Sequence, residues 1–199
     1  MKHFNEAEKE YISKQLILKG HDLFSRYGIR KTSIEEIAKA VGIAKGSFYA
    51  FFNSKEDLFL RILVLEITKL KQENNFDPQN TEPQKIIMSY LSHVLKNIIS
   101  NPILNKMLIR EEYEAIYRKI AIGEISNDIH DFSDPLVSVL KIWKEKGFLI
   151  DENIDVLTGI IKSIFLISRF RNEIGERIYD KVVDYLIEFI SEGITIKGK

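Results

Sequence analysis

The chain has 199 residues, of which 45% are hydrophobic and 29% charged, a composition typical of a soluble globular protein with one or two domains. It contains no cysteine, which excludes disulfides and every mechanism that needs a thiolate. Basic and acidic residues balance at 29 each, so the net charge taken alone argues against a nucleic-acid partner.

The sequence gives no sign of export or membrane insertion. Its start, MKHFNEAEKEYISK, is charged and has no apolar core of the kind that a secretory signal needs. The longest apolar runs are interrupted by Lys162 and Arg169 before they reach the roughly 18 residues that a membrane-spanning helix requires. We therefore expect a cytoplasmic protein that has no membrane partner.

Positive charge is concentrated near the N-terminus. Between Ile12 and Lys55 the sequence has eight basic and three acidic residues, so the rest of the chain carries the compensating negative excess. Such an asymmetry is typical of a basic module that binds an anionic partner. A charged surface that is merely solvated would give the same count, and both interpretations stay open at this point.

Apolar residues recur every three or four positions along almost the whole chain, which predicts an all-α fold with eight or nine helices. The first four predicted helices precede an Asn- and Pro-rich segment, NNFDPQNTEP. They cover Glu6–Tyr27 with a stop at Gly28, Ser33–Gly42, Ala44–Phe52 and Ser54–Glu73. Ser33 with Glu36 matches a capping box, and Ser54 with Asp57 gives the fourth helix a similar start.

The remaining helices follow the NNFDPQNTEP segment. Thr81 and Gln84 are spaced to cap a fifth helix that reaches Ser100, and Asn101-Pro102 is typical of the start of a sixth. Three more are expected at Pro135–Gly147, Glu152–Glu173 and Arg177–Ser191, with Gly175 and Gly193 closing the last two. The pattern does not determine the course of the chain between Ile122 and Asp134.

The second and third predicted helices have the layout of a helix-turn-helix. Both are short, and Val41-Gly42-Ile43 joins them in a tight turn. In that motif the second of the two helices enters the DNA major groove. On a helical wheel, the phenylalanines and Ala44 of the third helix share one side, which can pack on the neighbouring helices.

The other side of the third helix carries a chemically distinct set of residues: Lys45, Gly46, Ser47, Tyr49 and Ala50. Lys45 can supply charge to a phosphate or a donor to a guanine, and Ser47 and Tyr49 can bind phosphate oxygens. Gly46 lets the backbone approach a phosphate closely. A helical hairpin with an aromatic core would explain the phenylalanines, but neither Gly46 nor the basic excess.

The stretch TSIEEIAKAVGIAKGSFYAFFNSKEDL, from Thr32 to Leu58, resembles the DNA-binding signature of the tetracycline-repressor (TetR) family. The resemblance extends over about Ile12 to Leu58. It implies phosphate or base contacts from seven residues: Thr32, Ser33, Lys45, Gly46, Ser47, Tyr49 and Lys55. Ala44 and Ala50 depart from the family, which often has a small hydroxyl residue at the first position and His at the second. We therefore expect one capping or phosphate contact to be absent, and the base readout at Ala50 to be apolar or missing.

The resemblance also implies two functional domains. Residues 1–55 would be the helix-turn-helix DNA-binding domain, and residues 56–199 a helical domain for dimerisation and ligand binding. The implied protein is a homodimeric transcriptional repressor that a small-molecule inducer releases from a palindromic operator in double-stranded DNA.

The residues themselves support a dimer. The last two predicted helices are apolar on more than one face, and such a helix is buried on more than one side. Pairing with the same helices of a second chain, as a four-helix bundle, would bury the excess, whereas a fully internal helix in a monomer is the alternative. The interface candidates are Ile161, Phe165, Ser168, Val183, Leu186 and Ile187.

A ligand pocket is expected among large aromatic and polar side chains of the C-terminal part. The candidates are Tyr90, His93, Arg110, Tyr113, Tyr117, Trp143, Phe165 and Arg169. For each of them plain core packing is the alternative. His93 and His130 have no partner at metal-ligand spacing, so we expect neither a metal nor another cofactor.

An enzyme is not expected, because the sequence has no Gly-x-Ser-x-Gly elbow, phosphate-binding loop or His-Glu-x-x-His motif. Glu111 and Glu112 are adjacent, so on a helix they point apart and cannot form a catalytic dyad. The competing interpretation is a helical adaptor that uses Tyr49 and the aromatic cluster to bind a protein. Binding to DNA that weakens sharply with salt would separate the two hypotheses.

Overall fold

The structure is a computed structural model that describes residues 5–73, 82–106, 135–167 and 170–196, together with positions 109, 112, 114 and 116. Within these residues it contains ten named helices and no β-strand, which confirms the all-α prediction. The helices are α1 (Glu6–Lys31), α2 (Ile34–Val41), α3 (Lys45–Phe48), α4 (Lys55–Glu73), α5 (Pro83–Ser100), α6 (Pro102–Lys106), α7 (Pro135–Glu145), α8 (Ile154–Ile167), α9 (Arg171–Ile174) and α10 (Glu176–Ile194). Positions 112, 114 and 116 are helical as well. None of the helices in the described ranges is long and apolar enough to cross a membrane.

The chain forms two compact units, each built from two separate segments. The first unit consists of Met1–Lys69 and Asn101–Ile129, and the second of Leu70–Ser100 and His130–Lys199. The predicted boundary after residue 55 does not coincide with this division, because most of α4 and all of α6 belong to the first unit. A functional division at residue 55 stays a prediction.

The predicted caps of α2, α4 and α6 are confirmed. Ser33 and Glu36 satisfy each other's backbone N–H groups in a capping box, and Gly42 ends α2 with a φ of 81°. The Ser54 hydroxyl accepts a hydrogen bond from the backbone N–H of Asp57 at 3.1 Å. At the start of α6, the Asn101 Oδ1 accepts hydrogen bonds from two backbone N–H groups, 2.9 and 3.0 Å away. All of these contacts join residues no more than three positions apart, which explains why the sequence pattern predicts them.

Helix α1 also breaks where predicted, although it does not end there. Gly28 has a φ of 78°, which a glycine adopts without steric cost. One further helical turn, from Ile29 to Lys31, follows the break. A second glycine, Gly20, lies where α1 comes close to α4, and a Cβ at this position would lie 2.8 Å from the Leu58 side chain. This glycine lets α1 and α4 pack closely, and Leu58 itself is fully buried.

Several predicted bounds in the chain are wrong. Helix α3 ends at Phe48 instead of Phe52, and the chain continues in turns as far as Phe52. Ala44 provides no side-chain cap and Gly46 lowers the helical propensity, so α3 is short. Helix α10 passes through Gly193 to Ile194, and the predicted Glu152–Glu173 helix is replaced by α8 and α9. Thr81 and the segment 122–134 lie outside the described residues.

The second unit has an apolar core in which Trp143 and Tyr179 are the largest buried side chains. In this unit α10 packs against α5 and α8. The end of α10 also pairs with the loop that follows α7. Leu149 and Thr195 form an antiparallel bridge, flanked by hydrogen bonds from Ile150 N to Ile194 O and from Ile196 N to Phe148 O. The C-terminal end of α10 is therefore fixed to the α7–α8 loop.

Candidate nucleic-acid interface

Helix α3 is held by buried aromatic and aliphatic side chains. Phe48 is fully buried, and its ring centroid lies 6.0 Å from that of Phe52. On α2, which packs between α1 and α3, Ile37 and Ala38 are buried as well. The tight turn after α2 is closed by a hydrogen bond of 3.0 Å from Ile43 N to Ala38 O.

Of the residues predicted to face inward, Phe48 is buried and Phe51 and Phe52 are half-buried beyond the end of α3. Ala44 is exposed, because it precedes the helix in an extended conformation, so that part of the prediction is wrong. Phe48 and the packing on α2 hold α3 as the second helix of a helix-turn-helix.

The outward side of α3 is open. Lys45, Gly46 and Ala50 are exposed, Ser47 is half-buried, and the Tyr49 side chain is 52% exposed. The Tyr49 ring packs edge-on against Phe48, with 5.7 Å between the centroids. A Cβ built at Gly46 would meet no atom within 4 Å. No contact within the described residues requires a glycine at this position, and the space is free for an external partner.

Thr32 and Ser33 occupy the junction before α2. Thr32 is only 2% exposed, and its hydroxyl donates a 2.7 Å hydrogen bond to the Gly28 carbonyl. Its side chain therefore faces the protein interior. A contact between this side chain and DNA would need it to face the surface. The Ser33 hydroxyl donates to the Glu36 carboxylate at 2.7 Å. The Ser33 backbone N–H and hydroxyl together hold the pKa of Glu36 below its ordinary value.

Lys55, predicted to contact a phosphate, caps the end of α1, and the phosphate contact stays a prediction. Its ammonium donates to the carbonyl oxygens of Ile29 at 2.7 Å, Thr32 at 2.8 Å and Arg30 at 3.4 Å. An ammonium has three donors, so these bonds engage all of them. A phosphate contact would have to replace one of the three. Sequence inspection missed this role because the carbonyls lie 23 to 26 positions earlier in the chain.

Three further basic residues of the first unit are exposed, although none of them was among the predicted DNA contacts. Arg30 and Lys31 form the last turn of α1, and Lys39 lies in the last turn of α2. The charge count between Ile12 and Lys55 included them, but no motif singled them out. With Lys45, they give the helix-turn-helix several cations that can bind phosphate groups.

Glu66 is a buried carboxylate between α4 and α6 of the first unit. It is 8% exposed and accepts hydrogen bonds from Lys69 Nζ at 2.6 Å and Asn101 Nδ2 at 2.7 Å. Burial raises the pKa of Glu66, but the hydrogen bonds from Lys69 and Asn101 outweigh this effect, and the net shift is downward.

The described pocket candidates all lie in the second unit. Trp143 is part of its core, Tyr90 and Phe165 pack against that core, and His93 is half-buried. Arg110, Tyr113, Tyr117 and Arg169 lie outside the described residues, as does His130. Among the residues that are described, no group of three or more His, Asp or Glu side chains could hold a metal ion. Core packing is thus the observed role of Trp143, and a ligand pocket stays a prediction.

The dimer candidates fall largely on the inner side of their helices. Ile161, Val183 and Ile187 are buried in the core of the second unit. Phe165 and Leu186 are half-buried, and Ser168 lies outside the described residues. The large apolar side chains that are exposed on or beside α8 and α10 are Val156, Leu166, Phe170, Ile178, Tyr185 and Phe189. The apolar pattern of the sequence does not show which stripe of each helix faces outward, and the dimer interface stays a prediction.

This arrangement of α1 to α4 is that of a helix-turn-helix domain, and comparison with known proteins shows which family this domain resembles. The family model "Bacterial regulatory proteins, tetR family" matches residues 16–62. The HTH-type transcriptional regulator AcrR of Shigella flexneri is 34% identical over 80 residues, which are 39% of this chain and 37% of that protein. The aligned stretch spans about a third of the length of the curated relatives it matches.

Solved structures share the fold over nearly the whole chain. A TetR-family transcriptional regulator from Haemophilus influenzae has a TM-score of 0.62 at 17% identity, covering 96% of this chain and 100% of its own. RolR in complex with resorcinol has a TM-score of 0.64 at 15% identity, with 97% and 92% covered. Residues 16–62 therefore resemble the TetR family of bacterial regulatory proteins, and the chain shares the fold of TetR-family structures. The relatives named here are described as transcriptional regulators.

Proposed function

We propose that this protein is a DNA-binding transcriptional regulator that uses α3 as its recognition helix. The observation that carries the proposal is the outward side of α3, where Lys45, Gly46 and Tyr49 are exposed over a buried Phe48. Lys45 can donate to a base edge or a phosphate, and Tyr49 can donate to a phosphate. The open space at Gly46 lets a phosphate approach the backbone of α3.

The protein acts as a homodimer through α8 and α10. These two helices pack against each other and expose the apolar side chains of Val156, Leu166, Ile178, Tyr185 and Phe189. The rings of Tyr185 and Phe189 stack with 5.8 Å between their centroids, so two of these exposed side chains are adjacent. Exposed apolar patches of this kind mark interaction sites in soluble proteins. A two-fold axis would pair each helix with its own copy, as in the predicted four-helix bundle.

A two-fold dimer presents two copies of α3 and therefore needs a palindromic operator. Its half-sites lie about one helical turn of DNA, ~34 Å, or slightly more apart. The chain represses transcription and leaves the operator when a small molecule binds in the second unit. Support for a small-molecule ligand comes from the structural likeness to RolR, whose structure contains resorcinol.

The experiment that tests this function is a fluorescence-anisotropy titration with the DNA upstream of the protein's own gene. We expect binding that weakens steeply with salt, because Lys and Arg displace counterions from phosphates. The Tyr49→Phe variant removes one hydroxyl, so it should fold as the wild type does and bind DNA less tightly. A protein whose binding to this DNA does not respond to salt, or that binds a half-site as tightly as the palindrome, contradicts the proposal. The adaptor hypothesis predicts that indifference to salt.

A further inference from the structure

The chain passes from α1 into α2 through a short junction, residues 28–32, that is held from three directions. Gly28 turns the chain with its φ of 78°, and the buried Thr32 hydroxyl binds the Gly28 carbonyl. Lys55 binds carbonyls of the same junction from the start of α4. The third contact comes from Glu112, which lies far outside the helix-turn-helix sequence.

The Glu112 carboxylate holds the backbone at the point where α1 breaks. Its Oε2 accepts a 2.9 Å hydrogen bond from the Ile29 backbone N–H. Both residues are buried: Glu112 is 8% exposed and Ile29 is fully enclosed. Because Gly28 interrupts the helix immediately before it, this N–H needs a partner from elsewhere. Glu112 supplies that partner from 83 positions away.

The fit between Glu112 and the junction is close. A Cβ added at Gly28 would clash with the Glu112 Oε1, so the carboxylate would have to shift. Gly28 is favoured by its φ of 78°, and it leaves room for the carboxylate in its present position. Ile29 consequently has an anion on its N–H and the Lys55 cation on its carbonyl.

We propose that Glu112 is a positioning residue for DNA binding. By holding the Ile29 N–H it fixes the direction of α2, and with it the placement of α3. Any displacement of the segment that carries Glu112 is thereby converted into a change of DNA affinity. This inference rests on the proposed DNA-binding function. It adds the hydrogen bond between Glu112 and Ile29 as a contact through which a residue outside the helix-turn-helix affects DNA binding.

Two conservative variants of Glu112 separate positioning from general stability. Glu112→Asp keeps the charge but withdraws the carboxylate by one methylene, so it should lose the bond to Ile29. Glu112→Gln keeps the chain length and an acceptor oxygen, so it can retain the bond. Glu66→Asp is the matched control, because Glu66 is also 8% exposed in the first unit but bonds to Lys69 and Asn101 instead of the junction.

The measurement is the Kd for operator DNA at two salt concentrations, below the melting temperature of every variant. If loss of the bond leaves about a tenth of the molecules with α2 in its binding orientation, the apparent Kd rises about tenfold. We expect this for Glu112→Asp, a change of about threefold or less for Glu112→Gln, and wild-type affinity for Glu66→Asp. The salt dependence should not change, because no phosphate contact is removed. Amide exchange at Ile29 should be faster in Glu112→Asp alone.

The outcomes distinguish this inference from the function on which it rests. Wild-type protein that binds no DNA overturns both. Wild-type protein that binds DNA, together with a Glu112→Asp variant that binds equally tightly, overturns only the role of Glu112. Equal losses in Glu112→Asp and Glu66→Asp overturn it as well, since they would indicate general destabilisation.

Discussion

Replacing Lys55 with methionine separates two roles for this residue that lead to opposite experimental results. The substitution keeps the apolar stem but removes the ammonium that caps α1. Two of its bonds, at 2.7 and 2.8 Å to Ile29 and Thr32, are partly buried, whereas the 3.4 Å bond to Arg30 is exposed and weak. At about 1 kcal/mol for each good bond, the loss in unfolding free energy is about 2 kcal/mol. For a chain of this size, that lowers the Tm by about 4–8 °C.

Thermal melts combined with DNA titrations over a range of salt concentrations provide the assay. If Lys55 is a cap, Lys55→Met melts earlier while the slope of log K against log salt keeps its wild-type value. A phosphate contact would instead reduce that slope by about one unit per subunit and leave the Tm nearly unchanged. Lys39→Met is the stability control, since Lys39 is exposed on α2. A Lys55→Met variant with the wild-type Tm and a reduced slope would refute the capping role derived from the structure.

Four further predictions follow from the described contacts. Gly46→Ala should raise the Tm slightly, because helix propensity improves by up to ~1 kcal/mol and the added methyl meets open space. The same substitution should weaken DNA binding, and tighter binding in a titration would contradict this. Lys45→Ala should cost about 1–3 kcal/mol per half-site and relax the preference at one base position, as measured with a panel of single-base operator variants. Phe189 is 62% exposed, so Phe189→Asp should give folded monomers by light scattering, whereas Ile187→Asp, in the core, should not fold. A monomeric wild type at micromolar concentration would exclude the dimer. The stability that Glu66 contributes should be complete above the ordinary pKa of a glutamate and lost as the pH falls through its lowered folded pKa, so Glu66→Gln should flatten the acid limb of a Tm-against-pH curve.

The sequence predicts the features that depend on neighbouring residues. The caps at Ser33, Ser54 and Asn101 join residues two or three positions apart, and Gly28 breaks α1 as its position indicates. The outward side of α3 could be predicted for a similar reason. Phe48 and Tyr49 are adjacent in sequence, and only one of them can face the buried side of such a short helix.

Contacts between distant parts of the chain could not be predicted in this way. Nothing near Lys55 indicates that carbonyls of the α1–α2 junction take up its charge, and the partner of Glu112 is 83 residues away. The residues predicted for the dimer interface differ from the exposed apolar residues of the structure for another reason. Ile187 and Phe189 are both apolar residues of α10, and only the positions of α5 and α8 decide that Ile187 is buried and Phe189 exposed. Hydrophobic periodicity identifies such a helix without fixing its orientation.

The bridge between Leu149 and Thr195 has a consequence for that orientation. Each residue of an α-helix is rotated by about 100° from the one before it, so a slip of α10 by a single position would turn its outer stripe toward the side. The hydrogen bonds from Ile150 N to Ile194 O and from Ile196 N to Phe148 O oppose such a slip, because they hold the end of the helix in one register against the α7–α8 loop. The pairing therefore opposes rotation of α10 about its own axis, a rotation that would change the direction in which the stacked rings of Tyr185 and Phe189 face.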